Sequence, residues 1–137
     1  MPFAKWTFRI AGIYGVLLMT PMFFLEPVFN AQGQPLTHPE NYYGFVGVTL
    51  AFQFVFLTMS RDVARFRPLI PVCLFEKLVF PAFVWPLYLA GRTPGIVAFF
   101  SSIDLMWAVL FTLSWLRTRP AAALGVLAVT DWPTGAL

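Results

Sequence analysis

PLIPVCLFEKLVFPAFVWPLYLA, residues 68–90, is the stretch on which the fold turns. Only Glu76 and Lys77 are charged within it, and its 23 residues make a helix of ~35 Å, enough to cross a hydrocarbon core of ~30 Å. A run of this length and polarity predicts a transmembrane helix. Its margins agree. Arg61-Asp62-Val63-Ala64-Arg65-Phe66-Arg67, the most basic segment of the chain, precedes it, and Gly91-Arg92-Thr93-Pro94-Gly95 makes a tight turn after it. Pro68 suits a first helical turn, because its missing N–H is one that a helix start leaves unbonded in any case.

Three further apolar runs lie outward of this one, so the expected spans are residues 6–25, 38–60, 68–90 and 94–116. The first is stopped by Glu26-Pro27, since proline removes a backbone donor and restricts the residue before it. A polar loop over 28–36 follows. Thr37-His38-Pro39-Glu40 then has the spacing of a capping box, in which Thr37 caps the second helix and Glu40 reaches back. Thr93 is the expected N-cap of the fourth helix, with Pro94 at its first position. Lys5 and Arg9 before an apolar run imitate a secretory signal, but no A-x-A-like cleavage site follows, so the first helix is expected to be retained.

Composition supports the same class. Of 137 residues, 59% are hydrophobic and 11% charged, against roughly 25% charged in soluble domains. Four spans and short loops use nearly the whole length, which predicts one membrane domain over residues 1–120 and leaves no room for a separate soluble catalytic domain. The nine basic residues cluster at the ends of apolar runs and form no continuous surface, so nucleic-acid binding is excluded as the meaning of the net charge of +3.

The placement of Lys and Arg also sets an orientation, because cytoplasmic loops retain positive charge. With four crossings, Lys5, Arg9, Arg61, Arg65, Arg67, Arg117 and Arg119 share one side, and Arg92 stands alone on the other. The expected fold is therefore an all-α, four-transmembrane-helix bundle with both termini in the cytoplasm. Trp6, Tyr42, Tyr43, Tyr88 and Trp115 near helix ends fit an interfacial aromatic belt. Ala11-xxx-Gly15 and Gly47-xxx-Ala51 read as packing faces that let helix backbones approach closely. Residues 121–137 form a short tail on the cytoplasmic side, whose apolar run over 121–129 is too short to span and is expected to dock on a membrane surface or a partner.

Charge deep in an apolar run costs at least ~2.5 kcal/mol on insertion scales, so such groups are expected to face the bundle interior and to find partners. Glu76 lies ~12 Å in from Pro68, Gln53 ~10 Å in from Ser60, and Asp104 ~15 Å below Thr93, near the bilayer middle. Gln53, Glu76, Lys77 and Asp104 are therefore the candidate ligand-binding cluster. Glu76 and Lys77 diverge by ~100° around the helix, which makes Asp104 the first-choice partner of Lys77. Two carboxylates then share one deep cation. The leftover anion must be protonated, paired with Arg9, or matched by a ligand, so the cluster reads as a protonatable site or a pocket for a cationic or hydroxyl-bearing amphiphile. A plain buried ion pair that fixes helix register is the alternative. Pro71, Pro81 and Pro86 within the third helix free main-chain carbonyls, which favours a pocket beside Glu76.

Other chemistries fail on available ligands. His38 is the sole histidine and lies in an outer loop, which excludes two-histidine haem ligation and a Ser-His-Asp arrangement in the membrane. Cys73 is the only cysteine, so no intrachain disulfide or CxxC metal site exists. No phosphate-cradling glycine loop occurs, and no metal or cofactor is expected. The 16 Phe and five Trp read as lipid-facing and packing residues.

The run Tyr42-Tyr43-Gly44-Phe45-Val46-Gly47 with Gln53, Arg61-Asp62, Arg65-Phe66-Arg67-Pro68, Glu76-Lys77 and Asp104 resembles a group of small uncharacterised bacterial four-helix integral membrane proteins, loosely similar to DoxX-like proteins. The likeness covers about residues 40–117 and implies a multi-pass protein of the bacterial inner membrane. The expected role is that of a small-molecule- or lipid-binding protein or an accessory subunit. Its expected partners are the bilayer, an amphiphilic or cationic small molecule, and membrane-complex chains or further copies of itself. An isomerase-type enzyme using buried carboxylates and a purely structural subunit are the rival classes.

Overall fold

A computed structural model describes residues 2–118. It is all-helical: α1 (Pro2–Met22), the short α2 (Glu26–Ala31), α3 (Pro39–Met59), α4 (Ile70–Leu89) and α5 (Gly95–Arg117), with a 3-10 turn at Arg67–Leu69 leading into α4. Three of these, Pro39–Met59, Arg67–Leu89 with its leading turn, and Gly95–Arg117, are long and apolar enough to cross a membrane. Three such helices fit a multi-pass membrane protein. α1 matches them in length but carries Lys5 and Arg9 in its first half, which lowers its apolar content.

Side-chain contacts fix an up-down-up-down bundle. Tyr42 at the start of α3 donates to the Met22 carbonyl at the end of α1, whereas Phe8 near the start of α1 meets Phe56 near the end of α3. Lys77 and Asp104 pair α4 with α5, and Phe45 and Phe80 pair α3 with α4. The most extensive packing is α1 on α3 and α4 on α5, with α1 also lying on α5. One end of the bundle holds Lys5, Arg9, Arg61, Arg65, Arg67 and Arg117 and is here termed the basic end. α2 marks the other.

Just inside the basic end the interior is solid. Phe8, Phe56 and Phe111 are fully buried, the first and last stacked with centroids 4.6 Å apart and Phe56 set edge-on to Phe111 at 5.0 Å. Met59, Ile70 and Cys73 complete this plug, with the Cys73 thiol donating to Met59 Sδ at 3.3 Å. The outside is inverted relative to a water-soluble protein. Leu89, Phe24 and Leu116 are each more than 70% exposed, and large apolar side chains cover every long helix. Apolar surface of this extent fits helices that face hydrocarbon.

Local chemistry explains most helix ends and corrects several expectations. Glu26-Pro27 does not merely stop α1, which has already ended at Met22. Pro27 instead opens α2 in the segment read as a loop, since its fixed φ suits a first turn. The capping box is not formed: His38 is the N-cap of α3, no side chain bonds the helix start, and Glu40 turns to His38 Nδ1 at 3.2 Å. α5 begins one residue later than expected, with Pro94 as N-cap in place of Thr93. Pro71 falls in the first turn of α4, where it frees no carbonyl, and only Pro81 and Pro86 are interior. Gly47 and Ala51 face outward, so that pair is no packing face, whereas Ala11 and Gly15 are buried against α3. Gly91 ends α4 at φ +69°, and the Arg92 N–H returns to the Leu87 carbonyl at 2.9 Å, the bond pattern of a Schellman stop. The expected apolar tail lies outside the described residues.

Arg67 has a role that its charge alone did not reveal. Its Nε donates to the Thr118 carbonyl at 2.7 Å and its Nη2 to the Trp115 carbonyl at 3.4 Å, while the guanidinium lies 3.6 Å from the Trp115 ring centroid. It therefore closes the carboxyl end of α5, where a cation is favoured by the exposed carbonyls. Arg67→Ala should cost about 1–3 kcal/mol by leaving those carbonyls without a charged donor, whereas Arg65→Ala, whose guanidinium lies over the Phe66 ring and makes no side-chain hydrogen bond among the described residues, should stay within ~0.5 kcal/mol. Reversible unfolding in mixed micelles would measure both, and equal costs would refute the capping role.

Candidate functional site

Above the plug, at roughly mid-bundle, α4 and α5 bring three charges together. Lys77 Nζ donates to Asp104 Oδ1 at 3.1 Å and to Glu76 Oε1 at 3.3 Å. Glu76 Oε2 also lies 3.2 Å from Nζ, within ion-pair reach, but accepts no hydrogen bond among the described residues. The lysine side chain is 6% exposed, less than Glu76 at 17% or Asp104 at 23%, so the cation is the most enclosed member. Asp104 is its partner as expected. Glu76 is a partner too, because the flexible lysine stem bends back across the angle that separates neighbouring helical residues. The Phe56 ring, 5.4 Å from Nζ, supplies a further face to the ammonium.

Gln53 reaches the same level from α3 and does not touch the charges. Its Nε2 donates to the Thr49 carbonyl one turn back at 2.9 Å, and the side chain lies against α1 at Gly15. A Cβ at Gly15 would overlap the Gln53 amide, and one at Gly12 would fall 2.6 Å from Leu57 Cγ. The two glycines therefore set how closely α1 approaches α3, and Gly15 sets where the amide sits.

Between these groups and the α2 end the bundle is hollow. A cavity of about 230 Å³ is bounded by all four long helices, with Gln53, Lys77 and Asp104 at its polar level. Leu18, Met19 and Met22 of α1, together with Val97, line the part toward the α2 end. Tyr14, Phe45, Phe80, Phe100 and Trp107 supply aromatic walls. The volume far exceeds the ~30 Å³ share of one water, and a dry engineered cavity of ~150 Å³ already holds benzene. Pro81, buried in α4, leaves the Lys77 carbonyl without its helical donor beside this space.

Of the four candidate residues, three line the cavity together and Glu76 does not. The pocket expected beside Glu76 instead lies on the Lys77–Asp104 side, and Glu76 is not among its lining residues. Arg9 is not the counter-ion of the spare anion, since its guanidinium sits over Trp6 at 5.5 Å. Among the described residues no three His, Cys, Asp or Glu side chains gather around one point. Tyr14 and Trp107 were missed as site residues. Their rings lie 6.0 Å apart, and Trp107 is 7% exposed, so it is no lipid-facing residue. A hydroxyl-bearing aromatic in mid-span was the available signal for Tyr14; nothing in its local sequence distinguishes Trp107.

Gly15→Ala should destabilise the bundle by about 1–3 kcal/mol through overpacking on Gln53, and much less in a Gln53→Ala background. A double-mutant cycle of unfolding free energies would measure the coupling, and additive costs would refute the close approach. Comparison with known proteins gives this chain no relatives to argue from: no family model matches it, and neither the curated proteins nor the solved structures contain a match.

Proposed function

We propose that the protein is a four-span membrane protein of the bacterial inner membrane whose bundle binds an amphiphilic small molecule, its polar group at Gln53, Lys77 and Asp104 and its chain toward the α2 end. The observation that carries this reading is the coincidence of two features that packing alone disfavours. A charged group in mid-bundle is costly, and a hollow of this size leaves its lining side chains short of dispersion contacts within the protein. An occupant with a polar head and an apolar body relieves both. A structural ion pair needs no hollow beside it.

Four crossings are supported by α1, which lies alongside α3 and α5 over the same length as the three more apolar helices and has its charges at the basic end. The basic end faces the cytoplasm on the positive-inside rule, and an even number of crossings returns the chain to that side. The up-down-up-down plan also agrees with the DoxX-like resemblance.

Two measurements check this reading. In a Cys73→Ser background, an impermeant maleimide should label Gln34→Cys on intact cells and label Lys5→Cys and Arg61→Cys only after permeabilisation; outside labelling of Lys5→Cys would remove the first crossing. Protein purified in a mild detergent should yield, on solvent extraction and mass spectrometry, one amphiphile near 1:1. Thr49→Phe, which fills the cavity, should abolish that yield, and an unchanged yield would place the amphiphile elsewhere.

A further inference from the structure

We infer that the cavity selects a cationic amphiphile, an alkyl or aryl-alkyl amine whose ammonium sits against Asp104 beside Tyr14 and Trp107. This rests on the reading of the cavity as a ligand site and assigns the charge of the occupant.

The first support is charge balance. With both carboxylates ionised, Glu76, Lys77 and Asp104 together carry one excess negative charge, and Arg9 over Trp6 and Arg67 on the end of α5 are engaged elsewhere. An ammonium cancels that excess in a medium where an uncompensated charge is expensive. A neutral alcohol leaves it standing, and a carboxylate doubles it.

Hydrogen-bond capacity points the same way. Lys77 directs two of its three N–H donors to the two carboxylates, and Gln53 gives one of its two amide N–H groups to Thr49. Asp104 Oδ2 and Gln53 Oε1 accept no hydrogen bond among the described residues. Beside the Trp107 N–H, which has no partner among the described residues, the polar level of the cavity thus offers a carboxylate oxygen and an amide oxygen to an ammonium's donors.

Shape supplies the third support. Five aromatic residues, Tyr14, Phe45, Phe80, Phe100 and Trp107, line the cavity, and aromatic surroundings are favourable to alkylammonium groups. Asp104 lies ~14 Å below the first residue of α5, so a ligand headgroup held there is reached by an apolar chain and not by a free ion.

Eight-carbon probes of matched chain test this: octylamine, octanol and octanoate titrated calorimetrically at neutral pH into protein in nanodiscs, with empty nanodiscs as the blank for partition. Octylamine should bind about tenfold or more tighter than octanol, with octanoate weakest. Asp104→Asn should bring octylamine down to the octanol level. Glu76→Gln, which removes the same unit of charge from outside the cavity wall, should weaken octylamine and leave octanol unchanged; it and the probe ranking stand on their own if Asp104→Asn does not fold. Octanol equal to or tighter than octylamine, or a preference for amine that survives both substitutions, overturns the cationic assignment and keeps the cavity reading. No probe binding above the blank overturns both.

Discussion

The contact between Lys77 and its two carboxylates governs the layout of the bundle. A charge placed among apolar helices is tolerated only if partners are held against it, and here the partners come from both α4 and α5. That requirement fixes the register of the α4–α5 pair. It also forces the triad inward, because a lysine this deep cannot extend to an interface. Other features follow from where it sits. Toward the basic end, Phe8, Phe56 and Phe111 fill the interior, and toward the α2 end the same helices splay around a cavity.

The division into a solid half and a hollow half has a physical basis in side-chain size and placement. Phenylalanines from α1, α3 and α5 meet on one level and interlock. Near the α2 end, the inward positions of α1 hold Gly15, Leu18, Met19 and Met22, which do not reach across. Gly12 and Gly15 draw α1 tightly onto α3, and that close approach places the Gln53 amide at the boundary between the halves. Removing a glycine and removing the lysine therefore disturb the same level by different routes, one steric and one electrostatic.

Much of this was legible in the sequence because lipid imposes simple rules. Apolar runs of about twenty residues between basic clusters gave the long helices to within a few residues, and the deep charges identified Lys77–Asp104 before any geometry was known. Failures came where local pattern met tertiary choice. The capping box at Thr37 was outcompeted by a His38–Glu40 contact. Gly47 and Ala51 have the spacing of a packing pair, yet spacing does not say which face a helix turns inward. Glu76 was placed at the cavity because it is charged and deep, whereas one position along the helix decides whether a side chain faces a pocket or its rim. Arg67 read as an orientation signal because the carbonyls it caps lie about fifty residues away in the chain.

The most direct test of the central claim, that Gln53, Lys77, Asp104 and the hollow form one ligand site, is an experimental density map of the protein in lipid nanodiscs. The account predicts elongated non-protein density in the cavity, its end within hydrogen-bonding distance of Asp104 and its body toward Met22 and Val97. A collapsed bundle in which Gln53 closes directly onto Lys77 and Asp104, with no space between, would contradict it.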